Sequence, residues 1–222
     1  MKKTLLLMLF ISLIDISNSF SQSRYIGIKF GINQTNINLK QYNEKVYPYS
    51  QAIKSAMGQF LGVTYYFSNK NQYFIGIELN YSKRCFNNTI RLLDSIRNPI
   101  KYDLNDHLIK TIELPLLAGK NFGNKLFAGF NVGLIPLYIF EIEVYDKSSR
   151  PHQILDGTNA LNCDWEGTFL LGLKIRSNII IQTEIRYQQS LLDLYKKQQI
   201  SSNFFGKLQT LNFGLKVNYK IQ

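Results

Sequence analysis

Two histidines, two cysteines and a scatter of carboxylates are the residues of this chain that could do chemistry. A hydrolase built into a β-wall needs a histidine held beside a serine. His107 and His152 both fall in predicted loops, so no catalytic residue is assigned. Glu78, Glu113 and Glu184 would serve as general acid and base only if two of them converged without cations. They lie instead on strand faces of the same kind as those carrying Lys29, Lys174, Arg186 and Lys216, so a charge network is expected. Glu141, Glu143 and Asp146, with the stretch from Asp156 to Glu166, make one loop acidic enough to consider calcium, but no EF-hand-like spacing occurs and a solvated loop is expected. No metal and no cofactor is expected. Cys85 and Cys163 fit no metal motif, and a disulfide bracing neighbouring loops is predicted for them.

The N-terminus says where such residues would work. Met1-Lys2-Lys3, an apolar run from Leu5 to Ile14, and the small polar residues around Ser19 and Ser21 are the three parts of a secretory signal peptide. Cleavage is placed after Ser21, which divides the chain into a signal peptide, 1–21, and a single domain, 22–222. No later segment supplies the roughly 18 apolar residues of a membrane helix. The formal charge of +11 is spread along the chain without a nucleic-acid motif, and an exported protein meets anionic lipid and polysaccharide first, so nucleic acid is excluded as a partner.

The elements that must position these residues are strands. Period-two alternation recurs eight times: Tyr25–Ile32, Phe60–Phe67, Tyr73–Ser82, Thr111–Leu116, Leu126–Leu134, Phe169–Arg176, Ile179–Tyr187 and Leu211–Tyr219. Connections alternate long (33–58, 83–109, 141–167, 188–207) with short (68–72, 121–125, 177–178), the rhythm of outer loops and tight periplasmic turns. Tyrosines and phenylalanines crowd the strand ends, where an aromatic girdle would lie. The predicted fold is therefore all-β: one closed antiparallel up-and-down transmembrane barrel of about eight strands, in the outer membrane with both termini in the periplasm. Its polar face would fill the lumen with paired charges. Arg24, Lys70, Lys120, Lys125, Arg176 and Lys220 gather at the periplasmic rim. Pro115, which lacks a ladder donor, is expected to mark a bulge.

Several stretches resemble the PorT-like family of small outer-membrane β-barrels of Gram-negative bacteria. They are Tyr25-Ile26-Gly27-Ile28-Lys29-Phe30-Gly31-Ile32-Asn33, Phe74-Ile75-Gly76-Ile77-Glu78-Leu79-Asn80-Tyr81-Ser82, Ile112-Glu113-Leu114-Pro115-Leu116-Leu117, Leu126-Phe127-Ala128-Gly129-Phe130-Asn131-Val132-Gly133 and the closing Leu211 to Tyr219. The resemblance implies a barrel in contact with outer-membrane lipid and lipopolysaccharide, non-enzymatic, with long extracellular loops and an accessory role in secretion or surface assembly. A small-solute channel and a lipid-modifying enzyme are the alternatives.

Overall fold

A strand with one apolar and one polar face can bury both only if its sheet curls round a polar interior and turns the apolar face outward. The structure, a computed structural model, describes residues 23–39, 49–93, 99–146, 152–153, 160–194 and 206–221. Its regular elements are β1 (Ser23–Leu39), β2 (Tyr49–Ser68), β3 (Tyr73–Leu93), β4 (Pro99–Glu113), β5 (Leu116–Gly123), β6 (Leu126–Asp146), β7 (His152–Gln153), β8 (Leu161–Arg176), β9 (Ile179–Ser190) and β10 (Gly206–Lys220). Each wall strand pairs antiparallel with its chain neighbours, and β1 also pairs with β10, from Tyr25↔Lys220 to Leu39↔Gly206, which closes the ring. Taking β4 and β5 as one interrupted strand and β7 as a short pairing on β6, the wall has eight strands.

Leu114 and Pro115 separate β4 from β5 without a bulge. Asn80↔Glu113 leads to Ile77↔Leu116 on one side, and Glu113↔Leu137 to Leu116↔Leu134 on the other, with no extra residue. The Pro115 carbonyl still accepts from the Glu78 amide (2.9 Å) and the Leu114 amide donates to Pro136 O (2.9 Å), so proline removes one donor and leaves the register intact. The bulges lie elsewhere, notably where Lys110↔Glu141 gives way to Thr111↔Ile139 and Phe140 becomes the extra residue. That bulge resets the alternation on β6, turning Ile142 inward and Glu141 and Glu143 outward.

Three of the four long connections, 33–58, 83–109 and 141–167, prove to be strand over much of their length. β3 runs on to Leu93, β4 begins at Pro99 and β6 reaches Asp146. A 21-residue strand such as β3 rises roughly 70 Å and, tilted about 45°, spans roughly 50 Å, twice the ~25 Å apolar band of such barrels. The hairpins therefore project far beyond the belt at one end. At the other end the turns are tight: Gln72 takes a left-handed φ of 64° and Gly123 a φ of 105°, and the start of β1 meets the residue after β10 there through Ile221 N donating to Arg24 O (2.8 Å).

Outward residues are exposed and apolar, among them Ile28 (56%), Val132 (59%) and Leu171 (50%), while Lys29 between two of them is 1% exposed. The interior is layered. Tyr25, Tyr66, Phe74, Phe127, Leu170 and Ile180 fill the short-turn end, charged and amide side chains fill the middle, and a second apolar layer around Ile37, Phe86, Ile109, Ile139 and Leu208 fills the long-hairpin end. Gly31 and Gly214 face each other across β1 and β10, and a Cβ at either would press into the Phe60 ring (2.7 and 2.8 Å), so these glycines make room for that ring inside.

Candidate functional site

The middle layer is where this chain concentrates its ionisable groups. Glu78 on β3 receives three cations: Lys29 Nζ at 2.6 Å from β1, Lys216 Nζ at 2.8 Å from β10 and Arg186 Nη2 at 2.9 Å from β9. Glu184 faces the same cations at 3.2 to 3.4 Å. Glu166 Oε2 lies 3.0 Å from Arg186 Nη1 without hydrogen-bond geometry, a Coulombic contact. Three cations thus meet three carboxylates. Strand alternation on five strands, β1, β3, β8, β9 and β10, aims these side chains at one level of the lumen, and burial of single charges would be prohibitive without such pairing.

A second cluster lies toward the long hairpins. Arg84 donates through Nη2 to Glu113 Oε1 (2.7 Å) and through Nη1 to Asp164 Oδ2 (2.9 Å). Thr111 and Ser190 hydroxyls donate to the same two carboxylates. Arg84, Asp164 and Glu166 were not anticipated as interior residues. Their signal was present in the alternation of Asn162, Asp164 and Glu166 with Leu161, Cys163 and Trp165, but it sits in a stretch that reads as an acidic loop. The acidic-loop expectation is therefore corrected for Asp164 and Glu166, which are interior. Glu141 and Glu143 are outward and hold Lys110 Nζ at 2.6 and 2.8 Å. Asp156 lies outside the described residues, as does the signal peptide 1–21.

Lys174 does not join the network. It lies near the short-turn mouth, its ammonium 5.9 Å from the Phe127 ring centre, because the bulge at Ile175 and the turn at 177–178 end the strand below the charged layer. The predicted disulfide is also corrected: Cys85 and Cys163 are free thiols. They stand on β3 and β8 with β4 and β6 between them, about 14 Å apart laterally at three strand spacings and further offset along the strands, since Cys85 projects through Leu108 to Glu143 whereas Cys163 pairs with Pro136, well beyond the Cα reach of a disulfide.

Neither ring nitrogen of His107 has a hydrogen-bond partner, so no serine or cysteine stands against it as a nucleophile. The His107 imidazole stacks on Phe86 (4.6 Å, 7°) in the projecting hairpins beyond the belt, and burial lowers its pKa to about 4. Among the described residues no three His, Cys, Asp or Glu side chains converge as a metal set. Among the described residues two small voids line the lumen: one of about 20 Å³ lies between the aromatic layer and Glu78, and one of about 30 Å³ at the short-turn mouth beside Lys174. Each has room for about one water. A larger groove, about 950 Å³, lies along Phe30, Ile32, Leu61, Ile185 and Phe213, all facing away from the lumen.

The outer wall settles the medium. Soluble monomers rarely expose apolar patches beyond a few hundred Å², whereas here every wall strand carries exposed Ile, Leu, Val, Phe, Tyr or Trp. Only an apolar solvent suits such a belt. Solved structures share the shape: Neisserial surface protein A is 9% identical, the match covering 88% of this chain and 96% of that one with a TM-score of 0.50. OprG from Pseudomonas aeruginosa (10%, 91% and 98%, 0.46) and E. coli outer membrane protein W (12%, 90% and 99%, 0.45) are also similar. No curated protein matches the sequence. The closed wall with its apolar exterior has its counterpart in the sequence, where residues 20–196 match the outer membrane protein beta-barrel domain; the chain belongs to that family, and its place is the outer membrane.

Proposed function

We propose that this protein is a closed, non-enzymatic scaffold that works through the surfaces at its two ends and not through its lumen. One observation carries the reading: the interior is filled in three layers, apolar, charged and apolar, with voids of single-water size beside the charged layer. In this reading the tight turns and both termini face the periplasm, and the projecting hairpins face outward among lipopolysaccharide. The resemblance to PorT-like barrels supports an accessory role in secretion or surface assembly, with the hairpin ends as the partner-binding parts. A lipid-modifying activity is disfavoured by the stacking of His107 on Phe86, with no serine beside it.

The test of the closed lumen is conductance. Protein reconstituted in a planar bilayer is expected to give no steady open current, and a stable open level would replace the scaffold with a small-solute channel. Pull-down of the tagged protein from native outer membranes in mild detergent tests the assembly role: reproducible co-purification of secretion or surface-assembly components supports it, and recovery of the barrel alone removes it.

A further inference from the structure

We infer that the short-turn rim is a binding surface for anionic phospholipid headgroups, with Lys120 and its aromatic neighbours at the centre of the site. The inference rests on the orientation proposed above, which places this rim at the periplasm-facing leaflet.

Charge is the first support. Lys70, Lys120, Lys125, Lys174, Arg176 and Lys220 stand on the turns and strand ends of this rim. No aspartate or glutamate lies among residues 23–26, 68–74, 118–127, 174–180 or 217–221. The carboxylates of the barrel are committed higher in the lumen, at Glu78 and Glu113, to Lys29 and Arg84. The rim cannot neutralise itself with acidic side chains, so its counter-charge must come from outside.

Geometry chooses the partner. Lys120 Nζ donates to the Tyr73 hydroxyl (3.1 Å) and lies over two rings, 4.3 Å from the Tyr73 centroid and 5.4 Å from that of Phe122. Phe122 stacks in turn on Phe130 (5.9 Å). Tyr73, Phe122 and Phe130 are 44%, 50% and 52% exposed and belong to the outward belt. The ammonium is thus fixed at the foot of the apolar wall, on the side that faces lipid, at the depth where aromatic residues and snorkelling lysines meet headgroups. A soluble acidic protein in the periplasm would reach the turn tips but not this wall-facing position.

The neighbouring strands widen the site. β5, which carries Lys120, is flanked by β3 and β6, whose turns carry Lys70 and Lys125. Asn121 N donates to Gln72 O (3.0 Å), holding the two turns level. Three lysines on adjacent strands fall within about 10 Å laterally, the width of one or two phosphodiester headgroups.

Each lysine near an anionic surface is worth roughly a fivefold change in association at moderate salt, so three together amount to about 100-fold. The test is native mass spectrometry of the folded, full-length barrel in a zwitterionic detergent, titrated separately with phosphatidylglycerol and phosphatidylcholine. The variants are K70Q/K120Q/K125Q and, as a control of equal charge change at the other end, K54Q/K83Q/K207Q. Expected is tighter binding of phosphatidylglycerol to the wild type and to the control, lost by about two orders of magnitude in the rim variant. Equal binding of both lipids to the wild type overturns the inference, as does an equal loss in both variants, which would make the effect one of net charge. Capture of an acidic periplasmic protein through the same three lysines, without lipid preference, overturns it in favour of a protein partner. Failure of the barrel to fold and insert in phosphatidylcholine alone would count against the membrane reading itself, a separate result from loss of lipid preference.

Discussion

Replacing Glu78 by Gln tests the interior most directly. The carboxylate holds three cations at 2.6 to 2.9 Å, all 1 to 6% exposed at their side chains. The substitution keeps the volume but leaves Lys29, Arg186 and Lys216 facing Glu184 and Glu166 alone, one buried positive charge in excess. Breaking a buried ion pair from one side is worth about 3–5 kcal/mol, and a loss of about 4 kcal/mol is expected here. Adding Lys29→Met restores the balance, two cations against two carboxylates, so the double variant should be more stable than Glu78→Gln alone. The coupling between the two positions should be about 1.5–3 kcal/mol. Denaturant unfolding of the vesicle-inserted barrel gives the numbers. It is followed by the mobility of unheated samples on a gel and by fluorescence of Trp165, the chain's single tryptophan, which stands outward at the belt. A loss below about 1 kcal/mol for Glu78→Gln, or a double variant that costs the sum of the singles, would mean that water screens these charges. The reading of a packed, closed lumen would then fall.

The His107 imidazole is held neutral by burial, with its pKa lowered to about 4 from 6.5. The unfolded chain therefore takes up this proton first, and the stability present above pH 6.5 is lost as pH falls toward 4, by up to about 3 kcal/mol. His107→Phe keeps the stack on Phe86 and should remove that part of the pH dependence; superimposable wild-type and variant profiles from pH 7 to 4 would refute it. Gly172→Ala places a methyl group against the Phe127 ring that fills the short-turn end, and an overpacking loss of about 1–3 kcal/mol is expected. Phe127→Leu in the same chain should relieve it, measured by the same unfolding assay. Cys85 and Cys163 should both react with a maleimide after unfolding without reductant, and a mass increase of fewer than two labels would restore the disulfide.

The wall was legible because an outward face of Ile26, Ile28, Phe30 and Ile32, or of Phe169, Leu171 and Leu173, admits few other arrangements. Six of the interior charges, at Lys29, Glu78, Glu113, Glu184, Arg186 and Lys216, could be named because each lies between such residues. Arg84 was hidden beside Lys83, where two consecutive cations look like the start of a loop. Lys174 has the right face and the wrong height: alternation gives a side chain's face but not its height, and height decides whether it reaches the charged layer. The second apolar layer has no signature in the sequence: from Leu134 to Phe140 both faces are largely apolar, and the bulge at Phe140 changes the parity without a sequence mark.

The pairing of β1 with β10 also dictates an order of events. Tyr25 and Lys220 are joined in register although nearly the whole chain lies between them, so the first strand made cannot find its partner until the last has emerged. Until that moment two raw strand edges and a full set of greasy side chains are open to any neighbour. Synthesis and closure are thereby uncoupled: the ring stays open however much of the wall has formed, and β10 acts as the latch whose pairing commits the molecule.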